Sequence, residues 1–173
     1  MSPQVDRNAF RDLSYGLYIV TSHDGSRLNG QIINTAIQVT SDPPRVAVII
    51  NKNNLTHEFI TKSRTFAISV LDDSATLKFI GLFGFRSGRD IDKLAQASHK
   101  LGLTGCPLVT EHALSVLEAQ VISDIDLGTH TIFIGDTIGS EVIKVGRPLT
   151  YQFYHENLKG KSPPAAPTFN AGA

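Results

Sequence analysis

Cysteine is nearly absent from this chain. Its 173 residues include a single one, Cys106, within TGCP, so no intrachain disulfide can form and no cysteine–histidine zinc set is present at ligand spacing. Charge of one sign is not in excess either. Sixteen Lys and Arg balance sixteen Asp and Glu, which removes the strongly basic face that nucleic acid or an anionic membrane selects. The longest apolar run, VAVII at 46–50, is far short of a membrane span. MSPQVDRNAF lacks the charged-then-apolar order of a secretion signal. A cytoplasmic protein with no nucleic-acid and no membrane partner is expected. The common enzyme signatures are missing too: no GxSxG, no phosphate-loop lysine pattern and no HExxH. The glycines of GLFGFRSG (81–88) follow a helical stretch and do not make GxGxxG, so no Rossmann nicotinamide site is read.

What is present fits one domain, 1–158, followed by a Pro/Ala-rich tail, 159–173. With 41% hydrophobic residues, a domain of this length can build a core unaided. DRNAFRDL (6–13) reads as a short helix capped by Asp6. GLYIVTSHDG (16–25) and LNGQIINTAIQVTS (28–41) read as a hairpin with an Asp-Gly turn, the second strand bent. RVAVIINK (45–52) is a strand buried on both faces, and NLTHEFITKS (54–63) a helix capped by Asn54 or Thr56. TFAISVLD (65–72) is a strand, SATLKFIGLFG (74–84) a helix, and FRSGRDIDKL (85–94) a charged loop leading to another helical turn. Two long strands follow, 112–128 and 129–143, joined through Asp-Leu-Gly. In the first, Val116, Glu118, Gln120 and Ile122 are expected on one face, with Leu117, Ala119 and Val121 on the other. PLTYQFYH (148–155) is read as a last strand, and the tail as extended chain without a core of its own. Strands joined by short turns, with helices inserted between them, predict a mainly β, mostly antiparallel barrel.

The chemistry-bearing stretch is NGQIINTAIQVTSDPP (29–44). It interleaves amides and hydroxyls with isoleucine. Alternation does not separate them: Gln31 and Ile33 share one face, Ile32 and Asn34 the other. The strand is therefore either half-solvated or the wall of a ligand site. Asn51, Lys52, Asn53, Asn54 and Thr56 follow at a helix start, and Arg86, Ser87 and Arg89 come later. Side-chain amides match the donor–acceptor edge of a heterocycle, while hydroxyls, a cation and a helix N-terminus hold phosphate. A pyrimidine-like edge plus one phosphate describes flavin mononucleotide (FMN). Bland readings stand beside this one. The 51–56 segment can be a self-sufficient cap, Lys52 a solvated lysine, and Arg89 a partner of Asp90 or Asp92. His23, His57, His99 and His112 read as surface or cap residues, and Cys106 as a small loop residue.

In order along the chain, NGQIINTAIQVTSDPPRVAVIINKNNLTHEFI, IGLFGFRSGRDIDK, GTHTIFIGDTIGSEV and PLTYQFYHENLKGKSPPAAPT resemble the blocks of the flavin reductase-like FMN-binding split-barrel family. The likeness runs from about Phe10 to Thr168 and is carried by the ordered set. It is similar above all to flavin reductase domains fused to rubredoxin, and to flavoredoxins. The resemblance implies a homodimer of FMN-binding split β-barrels. Such proteins reduce FMN with NADH or NADPH, and pass electrons to free flavin, ferric iron or a protein acceptor such as rubredoxin. With one cysteine these residues hold no rubredoxin iron, so a rubredoxin acceptor is expected to be a separate protein. By position, the resemblance implies that Asn29 and Gly30 approach the ring; many members carry histidine where Asn29 stands. Asn34, Thr35 and Gln38 would lie along ring and ribityl chain, and Gln31 is a further cofactor-binding candidate. Asn51, Lys52 and Thr56 would meet ribityl or phosphate, and Arg86 and Ser87 the phosphate. His130 is implied as the catalytic candidate near flavin or nicotinamide, His155 as part of the dimer interface, and the tail as crossing to the second subunit. Two alternatives stay open: an electron carrier without efficient NAD(P)H oxidation, and a split barrel that binds some other small ligand.

Overall fold

The computed structural model describes residues 5–169. A 3-10 helix, Arg7–Asp12, opens it, with the Asp6 carboxylate accepting from the Asn8 amide at 2.9 Å. Nine strands follow: β1 (Tyr18–His23), β2 (Leu28–Ile33), β3 (Ala36–Ser41), β4 (Pro44–Asn51), β5 (Thr65–Leu71), β6 (His99–Leu101), β7 (Pro107–Val109), β8 (Ala113–Asp126) and β9 (His130–Val142). Seven of them form one antiparallel sheet in the order β2-β1-β5-β8-β9-β4-β3. The small β6–β7 hairpin is a sheet of its own that packs on the larger one, with Leu108 against Ala67 and Val116. The helices are α1 (Leu55–Ser63), α2 (Leu77–Gly84) and α3 (Tyr151–Glu156). The fold is the mainly antiparallel β-barrel with inserted helices that the sequence implies.

The two edges of the sheet, β2 and β3, are consecutive in the chain and joined only through Asn34 and Thr35. The long strand expected over 28–41 is thus two strands meeting at the split of the barrel. At this joint Thr35 Oγ1 donates to the Ile49 carbonyl at 3.2 Å, and the Ile49 amide to the Thr35 carbonyl at 3.1 Å. The joint is therefore tied to β4. Inside the barrel, Val20, Ile33, Val46, Val48, Ile50, Phe66, Ile68 and Phe133 pack with Ile60 of α1. β-branched and aromatic residues on successive strands fill this space because their side chains fit a pleated, half-enclosed surface. A second cluster joins α2 and α3 to the sheet through Leu17, Ile19, Leu71, Phe79, Ile80, Phe83, Leu149 and Tyr154.

Three expectations are corrected. The 148–155 segment is not a strand: Tyr151–Glu156 is a helix, whose N-cap Thr150 accepts from the Phe153 amide at 3.1 Å. Apolar and aromatic residues at 149, 151, 153 and 154 suit either period over so short a run. The β6–β7 hairpin has no counterpart among the expected elements. The face assignment in β8 holds. Leu117, Ala119 and Val121 turn into the barrel, while Val116 and Glu118 lie on the outer face under the β6–β7 hairpin, where Glu118 accepts from the Thr104 amide at 2.9 Å. Gln120 and Ile122 are exposed. The tail is not extended but makes two turns, with Ala166 and Phe169 amides donating to the Pro163 and Ala166 carbonyls. Pro164 and Pro167 sit at the second turn positions, which proline's fixed φ favours. Up to Phe169 the tail lies against its own chain; residues 170–173 lie outside the described region.

Candidate ligand cavity

Above the split lies a cavity of about 270 Å³. One wall is the polar strand: Asn29, Gln31 and Asn34 come from β2 and the joint, with Ile32 and Ile33 between them. Ile49, Asn51, Asn53 and Asn54 bring in the end of β4 and its turn, and Leu55 and Thr56 the first turn of α1. Phe83, Gly84, Phe85, Arg86, Ser87, Gly88 and Lys93 supply the end of α2 and the loop after it. The last wall is Tyr151 and Tyr154 of α3, with Lys161–Pro163 and Ala165–Pro167 of the tail.

The local chemistry explains the placement. Asn29 is buried and its Nδ2 donates to Thr56 Oγ1 at 2.8 Å, locking β2 to the start of α1. Gly88 rests on the same amide: a Cβ there would stand 2.0 Å from Asn29 Oδ1, so only glycine lets the loop lie this close. Asn54 occupies the N-cap position of α1 but makes no side-chain capping bond. First-turn amides have no intrahelical acceptor, so those of Leu55 and Thr56 are open to a ligand in the cavity they line. Gln31 Oε1 is buried without a hydrogen-bond partner among the described residues. A buried acceptor left alone costs stability, and a donor on a ligand would satisfy it.

Lys93, which sequence reasoning missed, is buried in this wall. Its Nζ donates to the Gly30 carbonyl at 2.8 Å and to that of Phe83 at 3.3 Å. Burial pushes its ammonium down to about 8. It lies in RDIDKL, where flanking aspartates make it look like a solvated loop lysine; nothing local distinguishes it. Lys161 and the α3 tyrosines escape sequence reasoning as well. Among the described residues, three cations and no carboxylate line the cavity.

Of the residues that the sequence singles out, Asn29, Gln31, Asn34, Asn51, Thr56, Arg86 and Ser87 come together here. Gly30 lies behind the wall, with its carbonyl on Lys93. Thr35 is spent on the joint. Gln38 is exposed, bonds the Thr40 carbonyl and lines a separate pocket with Arg45, Leu117 and Ile138. Lys52 pairs with Asp126 at 2.6 Å. His130 stands beside Asn51 in the β4–β9 register, and its Nε2 meets the Ala165 carbonyl of the tail at 3.3 Å. His155 is turned to the Gly160 carbonyl. Arg89 pairs with Glu58 across to α1, not with Asp90 or Asp92, and this bond holds the Glu58 carboxyl below its ordinary range. His57 is half-buried, 2.8 Å from Thr131 Oγ1, and burial lowers its pKa.

An acid-free cavity with amide side chains on one wall and cations with open helix amides on another suits an amphipathic anion. Comparison with known proteins agrees with the fold and narrows the chemistry. The flavin reductase like domain profile matches residues 10–157. A high molecular weight rubredoxin of Moorella thermoacetica is 49% identical over 97% of this chain and 73% of its own length. A ferric-chelate reductase (NAD(P)H) of Archaeoglobus fulgidus is 46% identical, covering 95% of this chain and 98% of that protein. Among solved structures, the NADH:FAD oxidoreductase of Streptomyces globisporus superposes with a TM-score of 0.72 at 29% identity, over 82% of this chain and 88% of that one.

Proposed function

Since the chain belongs to the flavin reductase-like domain family, an oxidoreductase family, we propose that its cavity holds FMN and that it is an NAD(P)H-dependent flavin reductase. Electrons would pass through that flavin to free flavin, ferric iron or a protein acceptor. The observation that carries this reading is the cavity itself: three cations, six amide side chains and no carboxylate among the described residues that line it. Flavin, when bound, supplies the hydride and electron chemistry, so the protein's work is binding, orientation and electrostatics.

In this reading the residues divide by end. Thr56, Ser87, Arg86, Lys93 and the first-turn amides of α1 hold the phosphate, because they combine donors with positive charge. Asn29, which the resemblance puts beside the ring, shares the corner of Thr56 and Gly88 and belongs to the phosphate side. Gln31, Asn34 and Asn51 face the ring edge and ribityl chain. The lone Gln31 Oε1 accepts from a ring N–H there. Phe83, Phe85 and Ile49 give the apolar surface on which a ring lies. His130, the catalytic candidate of the resemblance, keeps to the edge of the site and holds the tail. Residues 5–158 act as the domain and the rest as an appendage that completes its cavity.

Two partners follow. The first relative's name makes rubredoxin a natural protein acceptor. Exposed Ile37 and Val39 on β3, with Ile122, Ile125 and Ile138 on the β8–β9 arm, provide an apolar surface for a second copy of the chain. Light scattering should return twice the 18.8 kDa of one chain. The deciding experiment is the visible spectrum of the purified protein with FMN, before and after anaerobic NADH. Flavin bands that bleach are expected. Bands that persist under NADH but bleach with dithionite would make the protein a carrier, and no binding of FMN would overturn the proposal.

A further inference from the structure

After α3 the chain turns back along the cavity, which Lys161–Pro163 and Ala165–Pro167 line. It crosses the face of Tyr154 at Gly160, where any Cβ would lie 2.0 Å from the ring. From there it is pinned by side chains of three separate elements. Tyr154 donates to the Lys161 carbonyl at 3.0 Å, and Tyr151 OH bonds Ser162 Oγ. His130 meets the Ala165 carbonyl. Thr168 Oγ1 accepts from Asn34 Nδ2 at 2.7 Å and donates to Tyr151 OH at 3.1 Å. No residue from 160 to 169 is buried. The segment is held by hydrogen bonds and not by a core, which places it among the parts of a fold that open locally at low cost.

We propose that residues 160–168 are a strap that closes over bound flavin and sets its residence time, so that the flavin stays through turnover instead of leaving as a product. The inference rests on the flavin reading above. Asn34 is the link: it lines the ligand wall and also fastens the strap. The strap contributes Lys161 and a run of Pro and Ala to the cavity, so a ligand below it cannot leave until these bonds open together. One net hydrogen bond is worth about fivefold in an equilibrium, and several broken at once multiply. A closed strap also keeps reduced flavin from escaping into side reactions.

The test is the release rate of FMN from the loaded full-length protein, followed by recovery of flavin fluorescence on dilution. Thr168→Val should speed release by about fivefold, Ser162→Ala by somewhat less, and a chain ended after Lys159 by at least about tenfold. Circular dichroism verifies the fold of each. If truncation unfolds the protein, the two point variants decide. Trypsin should cut after Lys161 more slowly when FMN is bound. Folded variants that bind FMN but release it at the parent rate would overturn the strap alone. A parent chain that binds no FMN would overturn the flavin reading, and the strap with it.

Discussion

The two sides of the cavity are built by different means. The side made by β2, β4 and α1 is part of the sheet. Asn29, Gln31 and Asn51 sit on backbone ladders whose registers run Val20↔Gln31, Ser22↔Asn29 and Asn51↔His130. The opposite side, from Lys161 to Thr168, has no ladder and depends on hydroxyls and carbonyls alone. Groups on a ladder are placed by the whole barrel's stability, whereas the tail is placed by a handful of bonds of about 1 kcal/mol each. A site made of both has one fixed face and one that can open.

That contrast can be broken most severely from inside the barrel. Phe66 is fully buried in the cluster that supports β4 and β5, so Phe66→Ala should cost about 3–5 kcal/mol in urea unfolding and remove both faces at once. Gly88→Ala damages the fixed side only. The new methyl meets the Asn29 amide, and FMN titration should show affinity weakened by about tenfold or more with the tail still in place. Lys93 gives the comparison a pH axis. Its pKa is about 8 in the fold against 10.5 free, so the unfolded chain binds more protons between those values. The Lys93 contribution to stability therefore rises with pH above about 8, and Lys93→Met should flatten that rise in denaturation midpoints measured across it. FMN affinity should fall over the same range as the cation is lost. The smallest effect belongs to Lys52→Met. Its ammonium is paired with Asp126 on the surface, so FMN affinity should change by no more than about twofold.

How much was legible follows the same division. The strands and the polar wall could be read because turn residues and alternation are local: Asp24-Gly25 and Asp126-Leu127-Gly128 make the turns expected of them. Seven of the twelve candidate residues line the cavity, since strand ends and helix starts announce themselves. Lys93 was not legible because its burial depends on Gly30 and Phe83, distant groups that no local pattern reveals. Gln38 was misleading: beyond the joint the chain continues as the exposed edge strand β3, which the sequence alone does not separate from β2. The strap escaped for a third reason. Pro and Ala carry no periodicity, and its anchors lie as far off as Asn34, 134 positions before Thr168.

The order of the walls along the chain also bears on biosynthesis. β4 must wait for β9, about eighty residues later, before its open edge is paired, and the Asn34 amide waits for Thr168. Contacts of such separation form late, because loop closure is costly before they reward it. A nascent chain emerging from the ribosome would thus carry the amide-rich strand long before it could grip anything. Cofactor loading becomes a final maturation event, and flavin supply would act on the lifetime of the finished protein and not on the early steps of its folding.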